Sequence, residues 1–343
     1  MIKVAMFDTK PYDKKYFDAL KPESVLIKYY SSKLDESTCP LCNGYDVVCA
    51  FVNDDLNKAV IDGLYGYGVK LIALRCAGFN NVDVKECYGK IHVVRVPSYS
   101  PEAVAEHAVA MLLTSARRIH KAYNRTRDFN FSLNGLEGFN LFGKTVGVIG
   151  TGKIGKAFID IMKGFKCDIL AYDKFPSQID GVTYVSLDEL FEKSDIISLH
   201  CPLTEENFHM IDGASIAKMK KGVFLINTSR GGLIDADALL SGIKDRKIGA
   251  ACLDVYEEES DLFFEDKSGH ILGDDVLARL LSMPNVIITS HQAFLTDEAL
   301  KSIALTTWQN VEDFFDGKPL QNEVCYRCEK VDVCKKQKPN RCF

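Results

Sequence analysis

The chain has no apolar run long enough to cross a bilayer, so a membrane-spanning role is not expected. Its opening "MIKVAMFD" is too short, and too acidic at its end, to read as a secretory signal. Basic charge is not in surplus either. A formal net charge of −5 argues against nucleic-acid binding as the main role. No internal repeat and no low-complexity linker interrupts the sequence. The twelve cysteines are scattered rather than spaced as a disulfide framework. Without an export signal they are expected to be reduced thiols in a cytoplasmic protein. What remains is a globular composition, 47% hydrophobic and 26% charged, in 343 residues, enough for two domains with separate cores.

Apolar, β-branched runs alternate with helical patterns almost throughout, the signature of parallel α/β architecture. "IKVAMFD", "VLIKYY", "DVVCAF", "KLIALR" and "HVVRV" form a first series of strands. "KTVGVIG", "KCDILAYD", "SDIISLH", "GVFLINTS", "KIGAACLD" and "NVIITSH" form a second. Two series predict two doubly wound sheets. Between them Ser100 can cap a helix with Pro101 at its first position and Glu102 in its first turn. Val104, Ala108, Met111 or Leu112, Ser115 and Ile119 then recur at helical spacing, which suits a long connection between domains. A second long helix, about "DEALKSIALTTWQNVEDFF", follows the last strand and would return the chain to the first domain, making it discontinuous.

"VIGTGKIG" places Gly150, Gly152 and Gly155 between a strand and a helix. A GxGxxG string is weak alone, but this context gives each glycine a task. Gly150 would permit a tight turn, Gly152 the approach of a pyrophosphate, and Gly155 close packing of helix on strand. Asp173 ends the next strand, where a carboxylate can accept both hydroxyls of an adenosine ribose and repel a 2′-phosphate. NAD is therefore expected over NADP, an exclusion that Lys174 weakens slightly.

Ligands of open α/β sheets sit outside the carboxyl ends of the strands. Three more strands deliver polar residues there. "GVFLINTS" leads to Arg230, "GAACLD" to Asp254 and the acidic run Glu257, Glu258 and Glu259, and "NVIITS" to His291. Reduction of a 2-keto acid needs a fixed cation for the carboxylate and keto oxygen, and a proton for the developing alkoxide. Arginine's planar fork suits the first need and histidine's near-neutral pKa the second. A nearby carboxylate would orient the imidazole and favour its protonated form. Spacing does not choose among the three glutamates. Gly231 and Gly232 would let the arginine loop turn tightly. His200 ends a strand too and is read as structural.

"VIGTGKIG", "NTSRGGLID", "LDVYEEE" and "SHQAFLT", in this order, resemble the D-isomer-specific 2-hydroxyacid dehydrogenases. "LRCAGFNNVD", "VRVPSYSPEAVAEHA", "RRIHKAYNRTRDFNFSLNGL", "SLHCPLT" and "DLFFEDKS" are closest to the fermentative D-lactate dehydrogenases within that family. The resemblance covers about residues 1–323. It implies a Rossmann NAD-binding domain, 100–297, inserted into a discontinuous flavodoxin-like substrate domain, 1–99 and 298–343, with a cleft that closes on substrate. It implies NADH-dependent reduction of pyruvate to D-lactate, with Arg230 as substrate anchor, His291 as acid/base, Glu259 as the catalytic carboxylate and Asp254 as a tuning residue near the nicotinamide. Backbone N–H groups around Ala77 and Gly78 would hold the substrate carboxylate, Tyr99 would close over it, and Phe294 would line the pocket where many relatives have tyrosine. Lys153 and Ile154 would offer amides to the pyrophosphate, and Cys201, Pro202 and Thr228 would border the cofactor. The family is dimeric or tetrameric, with the cofactor domains forming the main interface. Relatives that use other 2-keto acids, and NADH-sensing corepressors of similar sequence, are the competing expectations.

Past residue 324 the relatives stop, and a tail over 325–343 adds Cys325, Cys328, Cys334 and Cys342 among basic residues. Four thiolates would suit structural zinc, and Cys39 and Cys42 form a second C-x2-C that could pair with the tail. The bland alternative is a solvated basic tail with free thiols.

Overall fold

The computed structural model describes residues 1–258, 262–326 and 341–343. They form two compact units, Met1–Ser100 with Thr296–Phe343, and Pro101–Leu295.

The first unit is built on β1 (Ile2–Met6), β2 (Val25–Tyr29), β3 (Val47–Ala50), β4 (Leu71–Leu74) and β5 (His92–Val94). They run parallel in the order β5-β4-β3-β1-β2, the flavodoxin-like order. β3 and β4 are buried along their whole length, as strands covered on both faces must be. Its helices are α1 (Pro11–Ala19), α2 (Lys58–Gly66), α3 (Val84–Cys87) and the last helix of the chain, α11 (Asp297–Phe315). The Thr296 hydroxyl caps α11 by accepting the Ala299 N–H. Trp308 on α11 donates its indole N–H to the Phe17 carbonyl at 3.2 Å, and the two rings meet edge to face. The C-terminal helix thus completes the core begun by the N-terminal hundred residues. A two-residue strand, Glu323–Val324, adds antiparallel to β5.

The second unit holds β6 (Thr145–Ile149), β7 (Asp168–Tyr172), β8 (Val182–Tyr184), β9 (Ile196–Leu199), β10 (Val223–Asn227), β11 (Ile248–Leu253) and β12 (Val286–Ile288). The parallel order β8-β7-β6-β9-β10-β11-β12 is the Rossmann arrangement, its direction reversing between β6 and β9. Helices α4 (Pro101–Ala116), α5 (Ile119–Arg127), α6 (Lys153–Gly164), α7 (Leu187–Lys193), α8 (Gly213–Lys218), α9 (Ala236–Lys244) and α10 (Asp275–Ser282) accompany it. Two apolar clusters form its core. One joins Val109 and Leu112 of α4 to Phe158 and Met162 of α6, and the other joins Leu225 to Leu239, Ile243 and Leu280.

Two local features depart from the sequence expectation. α4 ends at Ala116, because the Phe139 N–H takes the Ala116 carbonyl and Arg118 turns to a left-handed φ of 54°. Ile119 is therefore half exposed rather than part of the buried stripe. β8, missing from the predicted strands, has three residues, none of them fully buried.

Candidate active site

The glycine loop follows directly from backbone sterics. Gly150 has φ 95°, and a Cβ on it would lie 2.6 Å from the Cys201 nitrogen. A Cβ on Gly155 would fall 2.0 Å from the Gly150 carbonyl oxygen, so α6 can sit this close to β6 only with glycine. Gly152 stands at the N-cap of α6 with no side-chain cap, and a Cβ there would meet nothing within 4 Å. The first amides of the helix, those of Lys153 and Ile154, thus stand at the positive end of a helix dipole with no side-chain cap from Gly152. Asp173, at the end of β7, accepts the Thr151 amide at 2.6 Å and its hydroxyl at 3.0 Å. Burial works against its charge, yet these bonds and the Phe175 amide outweigh it and hold its pKa below the usual carboxylate range. Lys174 is turned to an exposed pair with Glu206 at 2.6 Å.

β9 ends at His200 and Cys201. The His200 imidazole is buried, with Nε2 2.9 Å from the Ser198 hydroxyl, and burial pushes its pKa down to about 3. Cys201 gives its carbonyl to the Ser229 hydroxyl at 2.5 Å, and burial raises its thiol to about 11. The Pro202 carbonyl accepts the Asn207 side chain at 2.8 Å. Two buried polar atoms beside this loop, Thr228 Oγ1 and His200 Nδ1, have no hydrogen-bond partner among the described residues. Orphaned polar atoms, uncapped helix amides and a glycine facing open space fit a bound dinucleotide.

The loop after β10 carries Arg230. Asn227 braces it at both ends, accepting the Ser229 N–H at 3.0 Å and donating to the Arg230 carbonyl at 2.8 Å. The two glycines that follow have ordinary negative φ, so tight turning is not their purpose. A Cβ on Gly231 would fall 2.0 Å from the Tyr256 carbonyl, and Gly232 packs against Leu203 and Phe208. Glycine here lets the arginine loop press against the backbone of the segment after β11. That segment is also held by Glu257, whose carboxylate lies 2.5 Å from His209 Nε2, while the His209 N–H donates to the Gly232 carbonyl. Glu259 lies outside the described residues.

Asp254, at the end of β11, is fully buried and heavily bonded. Its carboxylate accepts the Thr289 hydroxyl at 2.5 Å and the Gln292 and Ala293 amides at 2.9 Å each. His107 of α4 places Nε2 3.4 Å away. Burial opposes the charge, but these donors prevail and lower the pKa. The Asp254 backbone accepts the His291 N–H at 2.7 Å and donates its own N–H to the Asn227 carbonyl at 2.9 Å. His291 sits at φ 54°, an uncommon conformation for a side chain of this size, with the Phe264 ring 5.8 Å away. Phe294 is buried three residues on. The unit thus brings the arginine and histidine loops together around Asp254.

Ala77, Gly78 and Tyr99 belong to the other unit. There the Ala77 carbonyl accepts Arg95 at 2.8 Å, the Gly78 carbonyl accepts the Cys76 thiol, and Asn81 anchors the loop on the Phe51 and Asp54 carbonyls. Tyr99 is half-buried. Cys325 is buried with Cys342 hydrogen-bonded to it, and Phe343 stacks on His92 at 4.1 Å. Cys328 and Cys334 lie outside the described residues. Among the described residues no three His, Cys, Asp or Glu side chains are grouped to hold a metal.

The sequence reading did not single out His107 or His209. A signal for His107 was present. It falls between Val104, Ala108 and Met111, so an imidazole interrupts the buried stripe of a helix.

Comparison with known proteins places the chain in a family. Residues 109–293 match the family model of the D-isomer specific 2-hydroxyacid dehydrogenase, NAD binding domain. The D-lactate dehydrogenase of Escherichia coli is 52% identical over 328 residues, 94% of this chain and 100% of that protein. Its apo-structure superposes with a TM-score of 0.87 at 50% identity, covering 94% and 100% of the two chains. The pyruvate reductase of Chlamydomonas reinhardtii gives 0.89 at 45% identity, covering 93% and 98%. The D-lactate dehydrogenase of Aquifex aeolicus, complexed with NAD and lactic acid, gives 0.81 at 35% identity, covering 92% and 96%. With the glycine loop, the Asp173 strand end and the Arg230 and His291 loops in one unit, the chain belongs to the D-isomer-specific 2-hydroxyacid dehydrogenase family and is an NAD-dependent oxidoreductase.

Proposed function

We propose that the protein reduces pyruvate to D-lactate with NADH, reversibly, in the cytoplasm. The carrying observation is the row of backbone bonds from Asn227 through Asp254 to His291, which fixes an arginine loop and a histidine loop side by side at the edge that bears the dinucleotide loop. NADH, when bound, supplies the hydride. Gly152, Lys153 and Ile154 would hold its pyrophosphate and Asp173 its adenosine ribose, with Cys201, Pro202 and Thr228 along its border. The Arg230 guanidinium holds the substrate carboxylate and polarises the keto oxygen, so negative charge developing there meets a fixed cation. An imidazolium N–H of His291 delivers the proton that converts the alkoxide to the hydroxyl, and the neutral ring takes it back in the oxidative direction. Glu259 is the carboxylate that would orient that imidazole. Asp254 acts at one remove, by holding the loop that aims His291. Ala77, Gly78, Tyr99 and Phe294 complete the substrate contacts, and the D configuration of the product follows from family membership.

The test is turnover of NADH with a panel of 2-keto acids, followed by chiral separation of the product. D-Lactate from pyruvate is expected. L-Lactate, or preference for a bulkier keto acid, would overturn the assignment, and binding of NADH without turnover would mark a nucleotide sensor.

A further inference from the structure

The geometry points to His107 as a positioning residue for the proton-transfer step, a side chain that never meets substrate but fixes the Thr289–Asp254 couple on which the His291 loop is hung. The inference rests on the reading of His291 as the acid/base.

α4 packs its apolar stripe against β10, β11 and β12, and Val104, Ala108 and Met111 are all buried. His107 lies on the same face, its side chain only 19% exposed. Its Nε2 is 3.1 Å from Thr289 Oγ1 and 3.4 Å from Asp254 Oδ1. The Thr289 hydroxyl hydrogen is already committed to Asp254 Oδ1 at 2.5 Å. Its oxygen can therefore only accept from His107, which assigns the hydrogen of the imidazole to Nε2. Three groups so form a directed chain: imidazole N–H to hydroxyl oxygen, hydroxyl hydrogen to carboxylate.

That carboxylate has no lysine or arginine partner among the described residues, and His107 is its one ionisable neighbour there. Its remaining capacity goes to the Gln292 and Ala293 amides, which directly follow His291. Thr289 precedes His291 by two residues. The loop is thus pinned on both sides of the histidine by one buried carboxylate, and His291 holds its left-handed backbone only while both pins stay in place. Without the His107 N–H to hold it, the Thr289 hydroxyl can turn toward its second acceptor, Met111 Sδ at 3.8 Å, and Asp254 then loses the Thr289 donor. The His291 loop then relaxes toward a commoner φ, and the imidazole leaves its line to the keto oxygen. Sub-ångström misplacement of a proton donor affects the chemical step far more than binding.

The experiment uses the full-length enzyme and four variants, with kcat, KM for pyruvate, the NADH dissociation constant and the unfolding midpoint measured for each. His107→Leu is expected to lower kcat about 10-fold or more while KM and NADH affinity stay within about twofold. His107→Gln, whose amide N–H stands where Nε2–H stood, should regain most of the loss. Thr289→Val cuts the same chain at its next link and should reproduce the His107→Leu defect, which keeps the test decisive if His107→Leu folds poorly. Wild-type turnover in His107→Leu would overturn the proposal. So would equal impairment of the Leu and Gln variants tracking a lowered midpoint, or a kcat loss matched by weakened NADH binding. His291→Asn separates this failure from that of the parent reading: if it turns over normally, His291 is not the acid/base, whatever the His107 variants do.

Discussion

The His291 N–H donates to the Asp254 carbonyl at 2.7 Å, and the Asp254 carboxylate holds the two amides that follow His291. A histidine proposed to move protons is therefore mounted on a residue that never titrates near neutrality. This is a rigid support rather than a relay.

Arg230→Lys preserves charge and loses the planar fork. kcat/KM for pyruvate is expected to fall by about 10²-fold or more, with NADH binding near normal. Steady-state kinetics beside fluorescence titration of NADH reads both quantities. Near-full turnover would reduce Arg230 to a loop charge.

Asp254→Asn turns one carboxylate oxygen into an NH2 facing an N–H or hydroxyl donor. Leaving a buried donor unpaired costs about 1–3 kcal/mol, so denaturant unfolding should report a loss of that size together with reduced kcat. Unchanged stability would mean that the donors around residue 254 find other acceptors.

Asp173→Asn keeps an oxygen for the Thr151 amide and removes the charge opposed to a 2′-phosphate. The preference for NADH over NADPH, measured as a ratio of kcat/KM values, should narrow about tenfold, the equivalent of ~1.4 kcal/mol. An unaltered ratio would move cofactor discrimination away from this strand end.

His200 predicts an acid-side instability. Its pKa is pushed down to about 3 by burial, below the unfolded value near 6.5, so the unfolded chain binds the extra proton between those limits. Stability contributed by the neutral ring is intact above about pH 6.5 and declines as pH falls, by up to about 1.4 kcal/mol per unit. His200→Gln should flatten the slope of the unfolding midpoint between pH 6.5 and 4. Parallel slopes in the two proteins would count against the buried neutral imidazole.

The segment after α4 carries several apolar side chains in water. Phe129, Leu133 and Phe131 are 84%, 79% and 72% exposed, with Ile119, Tyr123 and Phe142 also exposed. A contiguous exposed apolar segment of this kind is expected to be covered by a second copy of the chain. Phe131→Asp with Leu133→Asp should shift the mass measured by light scattering to that of a monomer. A wild-type protein already monomeric would remove the idea.

Much of the fold was legible because strands of a parallel sheet read as apolar, β-branched runs, and the eleven strands predicted from such runs appear as β1–β7 and β9–β12. β8 escaped notice because Val182-Thr183-Tyr184 is broken by a polar residue, whereas the equally short and partly exposed β12 reads Val-Ile-Ile. α11 spans the stretch expected as a second long helix after the last strand, and its Thr296 cap is a feature that reading did not use. The site divides in the same way. Gly150, Gly152, Gly155 and Asp173 are local in sequence, so spacing reveals them. His107 acts on Thr289, 182 residues away, and only tertiary packing joins them. The purpose of Gly231 was misjudged from sequence for the same reason, since its constraint comes from the Tyr256 backbone and not from its own turn.

The left-handed φ of His291 also filters what can replace it. A β-branched residue there would clash with its own backbone, whereas asparagine settles in that region readily. Substitutions that the fold tolerates best at this position are thus ones with no proton to exchange near neutrality. If His291 is the acid/base proposed above, catalysis would be lost here while the nucleotide-binding unit stays whole. On the proposed role of His291, a single conservative step at this residue would lead from a turnover enzyme to a protein that only registers its cofactor.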